Sequence, residues 1–218
     1  GRRCPATVFN EKVMCGLGAD LASTGRLSPT GCDRALTALH RFVALAPGLN
    51  VTALAGVATA AVRDAADGSE FGARVEAETN IRLKIASGAD EARLSAQGVL
   101  FGDPEAAGLV VDLGGASMEL CPVTAQGPGR GISTALGPQR LGDVSDLRSS
   151  RRLIRETLDP LTRRYAGAAH RLYLVGGAWR ALGRVLIERL EHPLDILHEF
   201  VFTPGQAEEL LSELVGIC

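Results

Sequence analysis

The chain has 218 residues, 46% of them apolar and 4% aromatic, and a formal net charge of −2. That length holds one large α/β domain or two lobes of roughly 100 residues each, and the near-neutral balance excludes the basic footprint of a general nucleic-acid binder. No apolar run reaches the roughly 18 residues of a membrane span, and no signal peptide opens the chain, so the expectation is a cytoplasmic protein without a membrane anchor.

Gly1-Arg2-Arg3 lacks a starting Met and leads into Ala6 to Val13, which reads as a strand. The chain therefore reads as a piece of a longer protein. A Gly-rich loop follows. Ser28-Pro29 opens a helix, with Ser at the N-cap and Pro at the first helical position. Leu36, Leu39, Phe42, Val43 and Ala46 carry its apolar period, and Pro47-Gly48 ends it. Val51 to Thr59 reads as a buried strand and Ala60 to Ala66 as a short helix. Asp67-Gly68 breaks that helix, and Ser69-Glu70 starts another. Ile81 to Ala86 is a strand ending in Ser87-Gly88, and Asp90 to Leu100 a helix opened by acids, which suits the positive helix end.

Gly102-Asp103-Pro104 reads as a hinge between two units, residues 1–105 and 106–218. In the second unit, Leu109 to Leu113 is a strand and Ser117 to Val123 its hairpin partner. Gly131 to Ala135 reads as a third strand. Arg151 to Tyr165 is helical. Leu172 to Val175 is a strand that ends in Gly176-Gly177, and Ala178 to Leu190 is the helix after it. Pro204 to Val215 is helix-like. The predicted class is α/β, with a strand–glycine–helix unit in each half.

The cysteines are Cys4, Cys15, Cys32, Cys121 and Cys218, with no C-x-x-C pair, so reduced thiols are expected rather than a disulfide framework. His40, His170, His192 and His198 are scattered without a ligand at i+4, which argues against zinc. Lysine occurs only at 12 and 84, so arginine supplies nearly all the positive charge. Arginine forks suit phosphate, and a GC-rich coding sequence produces the same bias.

Four stretches carry chemistry. In Asp112-Leu113-Gly114-Gly115-Ala116-Ser117, an Asp at a strand end precedes two glycines. Glycines permit positive φ, so that backbone N–H groups face an anion. Ser117 can donate to it, and Glu119 shares the strand face of Ser117. An Asp so placed commonly holds Mg²⁺, although an ordinary hairpin turn has the same pattern. Ser87 to Leu94 places Asp90 and Glu91 on a first helical turn, at the strand ends where α/β ligands bind; helix capping explains the same acids. Arg63, after a strand, can reach phosphate or pair with its neighbour Asp64. Gly176-Gly177 starts a helix whose N-terminus is an anion site if open and a packing device if not.

Together these stretches resemble the exopolyphosphatase / guanosine pentaphosphate phosphohydrolase family, within the sugar kinase–actin fold superfamily. The resemblance is carried by Asn10-Glu11-Lys12-Val13 with Gly16-Leu17-Gly18, by Val57 to Ala65, by Ser87-Gly88-Ala89-Asp90-Glu91-Ala92-Arg93-Leu94, by Asp112 to Leu120, and by Gly176 to Leu182. It implies two actin-like, ribonuclease H-like lobes with mixed sheets flanked by helices and a cleft between them. It also implies Mg²⁺-dependent release of orthophosphate from inorganic polyphosphate, from guanosine pentaphosphate, or from both. Glu91 and Glu119 would be the catalytic carboxylates. Asp112 and Glu119 would hold the metal, and Arg63, Gly114, Gly115, Ser117, Gly176 and Gly177 the phosphates. A polyanion raises the pKa of nearby acids, which suits Glu91 as a base near neutral pH. A homodimer is a further expectation of the family.

The sequence departs from the family pattern in three places. No Asp-x-Gly-Ser-Asn-Ser loop is present, the C-terminal helical domain of the longer members is missing, and Ala116 replaces a third glycine. Its methyl group requires a backbone without positive φ. Two rivals stay open: a kinase of the same fold, which shares the Asp-x-Gly-Gly loop but not the Ser87–Leu94 motif, and a nucleotide sensor without turnover.

Overall fold

A computed structural model describes residues 7–141, 147–168 and 170–217. After a short helix α1 (Leu21–Thr24), helix α2 (Pro29–Leu45) starts with Ser28 extended at the N-cap and Pro29 at the first position. Strand β1 (Gly56–Ala58) and helices α3 (Ala60–Asp64) and α4 (Gly68–Thr79) follow, then strand β2 (Leu83–Ile85) and helix α5 (Gly88–Gly102). Next come strands β3 (Gly108–Leu113), β4 (Met118–Thr124), β5 (Gly127–Pro128) and β6 (Ile132–Thr134). Helix α6 (Leu147–Tyr165), strand β7 (Leu172–Gly176) and helices α7 (Gly177–Arg189) and α8 (Pro204–Ile217) complete the chain. The class is α/β, as expected.

Strands β1 and β2 pair in parallel over three residues each. Helices α2, α3 and α4 close their core, where Leu36, Val62, Phe71 and Val75 are buried. The second sheet runs β5–β4–β3–β7, with β6 also paired to β4. β3 and β4 form the expected antiparallel hairpin, β6 is its third member, and β7 lies parallel to β3. The strand alternation sorts this sheet into two faces. Val110, Cys121 and Val123 pack with Ala92 and Ala96 of α5. Leu109, Val111, Met118 and Leu120 pack on the other side with Ile154, Leu158, Leu161 and Tyr165 of α6. Full burial of a side chain such as Val110, 1% exposed, stabilises by about 1.5–3 kcal/mol. Helix α5 precedes the Asp103-Pro104 turn in the chain yet shares its core with the second sheet.

Two strand expectations are corrected. Residues 7–16 form no strand, and Val8, Phe9, Val13 and Met14 are exposed. A strand needs a partner for its backbone groups, and this segment is held by side chains instead: Glu11 pairs with Arg41 at 2.8 Å. The strand expected over Val51 to Thr59 shrinks to Gly56–Ala58, and Val51, Leu54 and Val57 are exposed rather than buried. Its only partner among the described residues, β2, offers three residues. Ala6 itself, Cys4 and Cys218 lie outside the described residues. Cys15, Cys32 and Cys121 are free thiols. Among the described residues no helix is long and apolar enough to cross a membrane.

Candidate active site

Sheet register builds one wall of the site. Asp112 of β3 stands opposite Glu119 of β4, and Glu119 stands opposite Ser133 of β6. Directly opposed residues share a face, so these three polar side chains form a row across the sheet. The row continues the apolar patch of Val110 and Cys121 on the side covered by α5.

Helix α5 forms the second wall, and its two first-turn acids divide the work. Asp90 is the cap: its amide donates to Ser87 Oγ at 3.1 Å, and its carboxylate accepts from Ser87 Oγ at 2.7 Å and from the Ser87 amide at 3.4 Å. The Ser87 hydroxyl, then its amide, hold the Asp90 carboxyl below its ordinary range. Glu91 is free of that duty. It accepts from Arg63 Nη1, and its side chain is only 14% exposed. The capping reading of this motif is realised by Ser87 and Asp90, and the adjacent Glu91 is left to face Arg63. The close approach of the helix start to the sheet requires Gly88, where a Cβ would lie 2.3 Å from the Cβ of Ser133.

Arg63, at the end of α3, also donates to Ala86 O at 3.0 Å and to Asp64 at 3.1 Å. The salt-bridge reading of Arg63 is the one seen, with Glu91 as a second carboxylate partner beside Asp64. Burial disfavours its charge, but the hydrogen bond and charge of Glu91, with those of Asp64, outweigh that effect and raise its pKa.

Glu119 is 4% exposed. Ser133 Oγ donates to its Oε1 at 2.7 Å, and Ser117, itself buried, is a second hydroxyl partner. Burial pushes its carboxyl above the ordinary range. The two serines oppose this, and the charges of Glu91 and Asp112 add to it. Glu91 and Asp112 thus each stand close enough for their charge to act on Glu119. Asp112 is fixed by Ser95 Oγ.

The glycine loop differs from expectation in its backbone. Gly114 and Gly115 both lack positive φ. The Gly114 amide donates to Ser117 O at 2.9 Å, so the turn closes on itself. What Gly115 provides is room: a Cβ there would lie 3.0 to 3.2 Å from the Gln139 amide group. Ala116 has no positive φ either, which is why its methyl group is accommodated. Positive φ occurs instead at Gly176, at +117°, where a Cβ would meet Leu113 O at 2.3 Å. Gly176 pairs with Leu113 in the parallel β3–β7 ladder, which sets the start of α7 beside the Asp112–Ser117 loop.

A cleft of about 280 Å³ lies against these elements, lined by Arg63, Asp64, Gly88, Ser117, Ser133 and Arg140 among others. Arg140, Ser133 and Ser95 are additions that sequence reasoning missed. Ser95 lies four residues after Glu91 on one helix face, a spacing that signals it. Ser133 follows only from strand register. Arg140 pairs with Asp64 across 76 residues of chain, and its buried Nε has no hydrogen-bond partner among the described residues; no local signal marks it.

Among the described residues no three His, Cys, Asp or Glu side chains form a metal-binding cluster. Asp112 and Glu119 supply hard oxygen donors from two carboxylates. That set suits Mg²⁺, which binds through one or two carboxylates and takes substrate phosphates and water for the rest.

Known proteins share the sequence pattern and the fold of this chain. Exopolyphosphatase 1 of Mycobacterium tuberculosis is 30% identical over 139 residues, 63% of this chain and 40% of that protein. The Mycobacterium leprae protein of the same name is 31% identical over 139 residues, 63% and 41% of the two chains. The chain thus spans about 40% of the length of these relatives. An exopolyphosphatase from Cytophaga hutchinsonii superposes with a TM-score of 0.84 at 25% identity, over 97% of this chain and 72% of that one. An Aquifex aeolicus Ppx/GppA enzyme superposes at 0.74 and 22% identity, over 92% and 69%; the shared fold is the expected actin-like one. The pattern of the Ppx/GppA phosphatase family matches residues 2–218, and the chain belongs to that family.

Proposed function

We propose that the protein hydrolyses terminal phosphoanhydride bonds with the help of Mg²⁺. It would release orthophosphate from inorganic polyphosphate, with guanosine pentaphosphate as a second substrate of the same clamp. The observation that carries this reading is the grouping of Glu91, Asp112 and Glu119 beside Arg63 and two glycine loops. Phosphoryl transfer needs little covalent help from the protein; it needs in-line positioning and charge neutralisation.

The terminal phosphate enters the cleft and competes for Arg63. Glu91 loses its guanidinium partner and becomes free to accept a proton. Its carboxylate orients a water, takes the proton as the water oxygen attacks the terminal phosphorus, and the P–O bond to the rest of the chain breaks. The leaving oxygen keeps the electron pair as part of the shortened phosphate chain. The Gly114–Ser117 turn and the start of α7 offer N–H groups and the Ser117 hydroxyl to the phosphate oxygens. Mg²⁺ held by Asp112 and Glu119 would supply neutralisation of the phosphate charge.

Orthophosphate release from polyphosphate and from guanosine pentaphosphate, with and without Mg²⁺, tests the reading. Glu91→Gln is expected to lower kcat by about 10³-fold, the scale of a positioned general base. Unchanged release in that variant would overturn the role of Glu91. Binding without release by the unsubstituted protein would leave a sensor.

A further inference from the structure

Beyond the cleft, on the other side of Ser133, lies a larger recess of about 490 Å³. Ser133 lines both spaces, and Gly88 of the cleft is followed by Ala89 of the recess, so the two are neighbours. Three guanidiniums line the recess from three separate elements: Arg93 on α5, Arg130 before β6 and Arg164 at the end of α6. All three are exposed. Among the described residues Arg93 has a carboxylate only at a long 3.8 Å, from Asp90, which is already engaged with Ser87 in the capping box. Arg164 lies over the Tyr165 ring at 5.4 Å, and the Tyr165 hydroxyl donates to Arg130 O at 3.3 Å, which draws these two arginines to one rim. Among the described residues no carboxylate pairs with Arg130 or Arg164. Like charges gathered without partners repel one another, and a polyanion relieves that repulsion.

We infer that this recess binds the phosphates that follow the terminal one, so that the three arginines set a preference for extended substrates. The inference rests on the proposed function. The ligand chemistry is a run of linked or neighbouring phosphates, either the tail of inorganic polyphosphate or the second diphosphate group of guanosine pentaphosphate. Arginine suits both, because its fork engages phosphate oxygens in pairs.

The test compares the chain with its Arg93→Gln/Arg130→Gln/Arg164→Gln variant. Orthophosphate release is measured from tripolyphosphate, from polyphosphate of about 45 units and from guanosine pentaphosphate. Binding of the long polyphosphate is titrated separately without Mg²⁺ over a range of salt. The ratio of kcat/KM for the long chain to that for tripolyphosphate is expected to fall by about 30-fold, less than three fully buried charge contacts would give because these are exposed and screened. The salt dependence of long-chain binding should flatten by the equivalent of about two to three released counterions. A fall confined to guanosine pentaphosphate assigns the recess to the nucleotide's second diphosphate; a fall confined to the long chain assigns it to the tail. An unchanged ratio with an unchanged salt slope and unchanged release from guanosine pentaphosphate overturns the inference. Absence of release from every substrate by the unsubstituted protein overturns the proposed function instead, and the binding titration alone then decides the recess. Circular dichroism checks the fold. If loss of the Arg164–Tyr165 contact unfolds the triple variant, Arg93→Gln/Arg130→Gln is expected to show about a tenfold fall by the same measures.

Discussion

Helix α5 starts at Ser87-Gly88 just after β2, and helix α7 starts at Gly176-Gly177 at the end of β7. In α5 the first turn is closed: Ser87 and Asp90 satisfy each other's backbone groups in a capping box. In α7 the N-cap is Gly176, with φ +117° and no side-chain cap. The two glycine positions also solve different problems. Gly88 lets a helix meet the Ser133 side chain, whereas Gly176 needs both its unusual φ and clearance from the Leu113 carbonyl. The capped helix end is thus a rigid mount for Glu91, and the uncapped end leaves its N–H groups beside the Asp112–Ser117 loop. Lys12 Nζ would lie 3.9 Å from a Cβ at Gly177, so the positive helix end has a cation next to it. A strand–glycine–helix pattern therefore does not by itself say whether a helix end binds an anion. What caps the end decides.

The largest effect on stability should come from Gly176. Gly176→Ala adds a Cβ at 2.3 Å from a backbone carbonyl in a conformation that L residues rarely adopt. It is expected to cost about 3 kcal/mol or more in denaturant unfolding. Gly177→Ala, whose Cβ meets only Lys12 Nζ at 3.9 Å, should stay within about 0.5 kcal/mol. Equal losses at the two positions would break the distinction. Next, Ser87→Ala opens the capping box and should cost about 1 kcal/mol, roughly 3 °C in Tm. If it costs nothing, α5 is as uncapped as α7 and the comparison fails.

The smallest effect concerns the acid behind the α5 mount. The Glu119 carboxyl is raised by burial and by Glu91 and Asp112, against the serine hydrogen bonds. A group whose folded pKa exceeds its unfolded value stabilises the fold when protonated, and that contribution is lost as pH rises through the folded value. Glu119→Gln cannot ionise. In Mg²⁺-free buffer it should raise Tm by roughly 1–2 °C at neutral pH, and the gain should vanish below the ordinary carboxylate range. A gain that grows on acidification would reverse the assigned direction. The same substitution should abolish phosphate release, so stability and activity move in opposite directions.

Local pattern was enough for much of this molecule. The helical period of Leu36, Leu39 and Val43, the capping signature at Ser87 and the hairpin around Gly114-Gly115 are each encoded within a few residues. Those features appear where expected. Local pattern misled at Ala6 to Val13 and at Val51 to Thr59, because a strand exists only where another segment pairs with it. It also misassigned the glycines. Gly115 was expected to supply positive φ and instead makes room for Gln139, a residue brought in from 24 positions away.

The sequence by itself determined the helices, the β3–β4 hairpin, the family motif and the candidate acids Glu91, Asp112 and Glu119, since helix period, caps and turns are short-range physics. Tertiary structure alone decided their partnerships. Strand register placed Ser133 against Glu119. Packing of α5 on the second sheet aimed Glu91 at Arg63 and Ser95 at Asp112. Chain closure brought Arg140 to Asp64 and gathered Arg93, Arg130 and Arg164 around one recess. Each of these contacts joins separate elements, and electrostatic pairing at a few ångströms depends on distances that no spacing along a chain encodes.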